Sequence, residues 1–100
     1  MILYNVTVNI DPEVHHEWVN WMKSKHIPDV LSTGLFIENR FFRVLSTEPE
    51  EGFTYSIQYF LDSIEQYEHY RSTFAPALQA EHTEKYRNKF VAFRTLLETV

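Results

Sequence analysis

Histidine is the side chain most able to carry acid–base or metal chemistry near neutral pH, and the chain has five: His15, His16, His26, His69 and His82. Three of them fall in one stretch, HHEWVNWMKSKHIPDV at 15–30, beside Trp18 and Trp21. Two histidines sharing a metal from one helix need i, i+4 spacing, and no pair of the five has it. His16-Glu17-Trp18-Val19-Asn20 opens like the zinc-binding H-E-x-x-H motif but ends on asparagine. His15 and His26 share a helix face yet stand about 16 Å apart at helical rise. Cysteine is absent, so thiolate ligands and disulfides are excluded. No serine sits in a Gly-x-Ser-x-Gly elbow, and the two glycines, Gly34 and Gly52, build no phosphate loop. The expectation is no metal and no cofactor.

The elements that position these residues are legible from periodicity. Residues 2–10, ILYNVTVNI, alternate as a strand with one apolar face. Asp11-Pro12-Glu13 supplies an N-cap, a first-turn proline and an acid, starting a helix. Because Pro28 disfavours the α region at Ile27, the helix is predicted to end near Lys25 or His26, with a short turn of helix at 29–34 closed by Gly34. Residues 35–45 read as a second strand, 47–52 as an acidic hairpin loop, and 53–61 as a third, strictly alternating strand. Asp62 and Ser63 cap a second helix with the stripe Ile64, Tyr67, Tyr70 or Arg71, and Phe74. Pro76 restarts it. Leu78, His82 and Tyr86 continue one face to Asn88, and residues 90–99 close the chain as a fourth strand.

This β-α-β-β-α-β order is the α+β ferredoxin-like arrangement in one domain spanning 1–100. Right-handed crossovers put both helices on one face of a four-stranded antiparallel sheet. The other face reads as too apolar to stay wet: strand two carries Leu35, Ile37, Phe41 and Leu45 on one parity but Phe36, Phe42 and Val44 on the other, and strand four is apolar on both. A face-to-face homodimer is therefore expected. Its seam would comprise Asn5, Thr7, Ser56 and Gln58 with Arg40, Phe42, Val44 and Arg94.

On helix one, Val14, Trp18, Trp21, Met22 and Lys25 fall on one arc, with His15, Val19 and His26 at its flanks. Two readings of His26 stand side by side. It is a helix-terminal histidine whose charged form the dipole favours, or it is a titratable, candidate catalytic group at the mouth of a helix–sheet pocket. His82 is either a second such group or a satisfied core histidine. The rings predicted to face the helices are Tyr4, Tyr55, Tyr59, Phe93, Trp18, Trp21, Tyr67, Tyr70 and Phe74. As pocket wall, the candidate ligand-binding set is Tyr4, Trp18, Met22, Tyr55, Tyr59, Phe74 and His82, with Arg43 awaiting a partner or an anion.

Net charge is −5, and the basic group Lys85, Arg87 and Lys89 sits where a helix should end, so no nucleic-acid partner is expected. No apolar run approaches the roughly 20 residues of a membrane span. The alternating N-terminus carries no leader pattern, giving a cytoplasmic expectation.

Five segments, NVTVNIDPE, WMKSKHIPDVLSTG, FRVL, TYSIQY and KFVAFRTLLE, make the chain resemble an uncharacterised family of short bacterial proteins known only as a domain of unknown function. More distantly, the topology and the His26-x-Pro28 step are similar to dimeric α+β barrel proteins. That superfamily holds cofactor-independent antibiotic-biosynthesis monooxygenases, haem-degrading enzymes and small isomerases. The likeness implies the fold and the dimer. It carries no catalytic residues: for the Asn-Trp-His set of the haem-degrading branch, Asn5 has the wrong parity and the tryptophans lie on the other helix. Two functions compete. One is a cofactor-free enzyme or binding protein for a small, largely apolar or aromatic molecule, which predicts a cavity of about 300 Å³ or more reached by His26. The other is a non-catalytic dimeric protein-interaction module.

Overall fold

Strand β1 (Ile2–Ile10) lies in the middle of the sheet because its odd and even residues suit different layers: Ile2, Tyr4, Val8 and Ile10 are buried, and Asn5, Thr7 and Asn9 face away. It pairs antiparallel with β3 (Phe53–Leu61) and with β4 (Phe90–Glu98), while β2 (Glu38–Arg43) pairs with the far side of β3. The order β2-β3-β1-β4 and the helices between strands make this an α+β ferredoxin-like fold. The computed structural model describes residues 1–46, 48 and 51–100. Within the predicted acidic loop, Thr47, Pro49 and Glu50 lie outside the described residues.

Local chemistry sets most element ends. Asp11 Oδ1 accepts from the Glu13 N–H at 2.8 Å and a 3₁₀ turn at Pro12–Val14 leads into α1 (His15–Trp21). Ser63 caps α3 (Ile64–Thr73) by accepting from the Gln66 N–H. Pro76, in the first turn of α4 (Ala75–Lys85), separates that helix from α3 at Phe74. Asn88 takes a φ of 64° and reverses the chain into β4. Gly52, at φ 106°, precedes β3, where a Cβ would come within 2.5 Å of Asn9 Oδ1.

The first helix does not stop at His26. Met22–His26 form a π turn, in which the Ile27 N–H bonds the Met22 carbonyl five residues back, and the helix continues as α2 (Ile27–Leu31). In a regular helix the Pro28 ring would meet the Ser24 carbonyl; the widened turn relieves that contact, so Ile27 keeps helical angles of φ −62° and ψ −46°. The same widening lets Met22 and Ile27, five apart, both be buried. Lys25, predicted on the inner arc, points out and bridges Asp29 and Glu81.

Two further expectations change. Strand two is shorter than 35–45, because Phe36 leaves the strand line to pack on Tyr59 and Tyr70. On β4 the predicted parity is reversed. Pairing with β1 sets Arg94 opposite Val6 and Phe93 opposite Thr7. Arg94 therefore belongs to the helix side, and Phe93 to the bare side, where it is 63% exposed.

That bare side has a polar centre. Ser56 Oγ donates to Asn5 Oδ1 (2.6 Å), the Asn5 amide to Thr7 (3.0 Å), and the Asn9 amide to Thr54 (3.1 Å). Gln58 reaches Ser56 at 3.4 Å. Phe42, Val91, Phe93 and Leu97 flank this network on the outer strands, all exposed. Val44 joins Thr7, Thr54, Val91 and Phe93 in lining a shallow groove, and Arg40 pairs with Glu38 on its own strand.

Candidate functional site

Two clusters of histidine and tyrosine occupy opposite ends of the helix–sheet layer. At one end His15, buried although predicted at the flank of its helix, bonds the Tyr55 hydroxyl through Nε2 at 2.5 Å. Its ring stacks on Phe53 at 3.9 Å, which also carries the Arg43 guanidinium at 4.7 Å. Burial, helped by His16 and Arg43, lowers the His15 pKa. Tyr55 and Arg43 thus belong to this end: Tyr55 packs on Trp18 at 5.2 Å between ring centroids, and neither lines the cavity at the other end.

At the other end a cavity of about 50 Å³ lies between α4, the π turn and the sheet. Tyr4, Met22, Tyr59, His26 and His82, all singled out in the sequence, line it. Trp18 and Phe74 do not. Trp18 is fully buried one layer back, where its indole N–H donates to His82 Nε2 at 2.9 Å, and Phe74 packs against the core at the α3–α4 junction. That bond fixes His82 in the neutral tautomer protonated on Nδ1. Burial, then the neighbouring His26 and Arg94, hold its pKa down at about 4. His82 thus accepts from Trp18 on one side and lines the cavity with its ring.

His26 is half-buried, its ring stacked on Trp21 at 5.1 Å and 5.7 Å from the His82 ring. Its Nδ1 is sealed from solvent without a hydrogen-bond partner among the described residues. Burial lowers its pKa, against the pull of Glu81 and Asp29 and with the help of Lys25 and Arg94. The helix-dipole reading of His26 is overturned on two counts: the helix runs past it, and its environment favours the neutral ring.

The sequence reading missed Arg94, Gln79 and Thr83 as cavity residues. Gln79 and Thr83 were findable, Gln79 standing three residues before His82 and Thr83 four after Gln79 on α4. Arg94 was not, because apolar residues occupy both parities of its strand. Its Nε donates to the Tyr4 hydroxyl at 3.1 Å. Burial raises the Tyr4 pKa and Arg94 opposes that rise; Tyr59 and Tyr70 are pushed up by burial as well. The cavity is far smaller than the predicted 300 Å³ because the rings interlock: Tyr4 lies 5.9 Å from Tyr59 and 5.8 Å from Tyr70. Chemically the site offers a cation, neutral imidazoles and hydroxyl donors at the end of a small void. Among the described residues no cluster of three or more His, Asp or Glu side chains could hold a metal, and no helix is long and apolar enough to cross a membrane.

A family model, Domain of unknown function (DUF4286), matches residues 1–100. The chain belongs to that family. No curated protein matches the DUF4286 chain in sequence. Solved structures share its fold. A dimeric ferredoxin-like protein from an uncultured marine organism aligns with TM-score 0.71 and 16% identity, covering 100% of this chain and 95% of that one. A variant of MhuD with two manganese protoporphyrin IX molecules bound per active site gives 0.71 and 14%, covering 100% and 95%. A protein from Deinococcus radiodurans, provisionally assigned as an antibiotic biosynthesis monooxygenase, gives 0.68 and 14%, covering 100% and 93%.

Proposed function

We propose that this DUF4286 protein binds a small molecule between its helices and its sheet, as a homodimer paired through the bare sheet face. One observation carries the binding reading: the cavity end holds a polar atom, His26 Nδ1, buried and without a partner among the described residues. A buried polar group left unpaired costs on the order of 1–3 kcal/mol, and a ligand hydroxyl or amide removes that cost. The fold likeness to a protein described with manganese protoporphyrin IX in its active site, and to one provisionally assigned as an antibiotic biosynthesis monooxygenase, supports a small-molecule ligand. A neutral imidazole at the cavity also suits it to accept a proton from a bound molecule without a cofactor, with His26 as the base. The 50 Å³ volume favours a small ligand, or movement of the exposed Arg94 side chain to admit a larger one.

Filling the cavity tests this. Ala92, on β4, lines it, and Ala92→Phe should abolish binding of small aromatic and carboxylic fragments seen by ligand-observed NMR with the wild type, while circular dichroism stays unchanged. No fragment binding to the wild type, or binding indifferent to both Ala92→Phe and His26→Phe, would leave the non-catalytic dimeric interaction module as the better reading.

The homodimer is supported by the bare face itself. Its polar centre and the exposed Phe42, Phe93 and Leu97 make a surface in which two copies can cover each other's apolar margins and exchange hydrogen bonds. Two neighbours of the fold are themselves described as dimeric ferredoxin-like proteins.

A further inference from the structure

We infer that the molecule taken by this cavity is a small carboxylic acid, its carboxylate held by Arg94 and the Tyr4 hydroxyl; this rests on the ligand-binding reading above. The chain is acidic overall, with 14 Asp and Glu against nine Lys and Arg. Six of those nine cations, Lys25, Arg40, Arg71, Lys85, Arg87 and Lys89, are engaged in ion pairs. Arg94 makes no ion pair among the described residues, although it stands at a cavity lined by two histidines. The acids that act on His26, Glu81 and Asp29, are both tied to Lys25. They leave the positive charge of Arg94 uncompensated.

The geometry suits an anion. The Nε–H is committed to Tyr4 at 3.1 Å, which anchors the guanidinium on the helix side of β4 opposite Val6. Its two terminal nitrogens make no hydrogen bond among the described residues, and such a pair is the fork that takes a carboxylate through two parallel bonds. The field of Arg94 reaches the cavity's other groups, opposing protonation of His26 and His82 and favouring the ionised form of Tyr4 and Tyr70. A neutral cavity would bind apolar molecules indifferently. This one has its charge at one end and the open Nδ1 of His26 to meet a second polar group. The volume leaves room for only a few heavy atoms beyond the carboxylate.

Isosteric acid–amide pairs test it. Pyruvate against pyruvamide, and benzoate against benzamide, would be titrated into the full-length protein while following the Arg94 side-chain N–H signal in ¹⁵N spectra. The expected result is that the acid of each pair binds at least about tenfold more tightly and moves that signal. In Arg94→Gln the preference should fall below about twofold with the amide affinity unchanged, a result that general unfolding would not produce. Equal binding of acid and amide to the wild type, or a preference that survives Arg94→Gln, would overturn the carboxylate assignment alone. No binding by any of the four would overturn it together with the ligand reading.

Discussion

The helix side and the bare side of this sheet place polarity in opposite ways. Beneath the helices, rings from β1, β3 and α3 interlock, and the polar groups, Arg94, His82, His26 and Tyr4, gather at one end around a small void. On the bare side the polar groups form a connected centre along β1 and β3, and the apolar residues sit outward on β2 and β4. The comparison shows that the side of the sheet a residue takes in this molecule is not a matter of how apolar it is. A charged Arg94 occupies the inner side of the same strand on which Phe93 and Val91 point outward. Strand pairing decides the side, and the two proposals follow it: a ligand within, a second copy without.

The contrast in packing is the easiest to break. Ile57, in the middle of β3 and 1% exposed, should lose about 3–4 kcal/mol of stability as Ile57→Ala, since the truncation leaves a cavity among rings. Its neighbour on the bare side, as Ser56→Ala, should lose no more than about 1 kcal/mol. Urea unfolding of both variants measures the difference, and equal losses would mean that the two sides are not packed differently.

Next in size is the response to acid. His82, His26 and His15 all have folded-state pKa values below the ordinary value of about 6.5. For each, the unfolded chain takes up a proton first as pH falls, so the stabilising effect is full above about 6.5 and is lost on the way down. His82 alone, held at about 4, should cost roughly 3 kcal/mol between those two values, at about 1.4 kcal/mol per unit. His82→Gln keeps an acceptor for the Trp18 indole and should flatten much of that slope in chemical unfolding between pH 7 and 4.5. An unchanged slope would show that the histidine is not buried as described.

The smallest of the three effects concerns the bare side. Phe93→Glu, or Phe42→Glu, places a charge in the proposed seam and should weaken dimer association by about 30- to 100-fold, on the order of 2–3 kcal/mol. The stability of the subunit should change by less than about 0.5 kcal/mol, because both residues are exposed in the single chain. Sedimentation equilibrium reads the first quantity and urea unfolding the second. An unaltered dimer would place the seam elsewhere.

The strands β1 and β3 were readable because each has one wet and one dry side, and alternation then has only one interpretation. The caps at Asp11 and Ser63, the restart at Pro76 and the reversal at Asn88 were readable because each is a local backbone requirement met by a particular residue. Strand β4 was not: with Val91, Phe93 and Leu97 on one parity and Ala92 and Leu96 on the other, hydropathy is silent, and only the pairing with β1 puts Arg94 inside. The burial of His15 was not readable, because a residue at the flank of the inner arc becomes buried only when Phe53 stacks against it from a distant strand. The size of the cavity depends on how rings from three elements fit together, which no single segment encodes. The short turn of helix after Pro28 was readable, but its continuity with the first helix was not, because proline ordinarily ends a helix, and here the chain absorbs it.

That absorption makes the segment sensitive to its own length. The π turn amounts to one surplus residue in an otherwise regular helix. Excising Ser24 would tighten the winding, turn everything downstream by about 100°, and carry Ile27 and Val30 away from the core they now fill. Side-chain exchanges at Lys23 or Ser24, both facing water, leave that arrangement alone. The spacing between Trp21 and Pro28 therefore matters more to the fold than the identity of the exposed residues in between, and it is this count that brings the His26 imidazole to the cavity that Arg94 also lines.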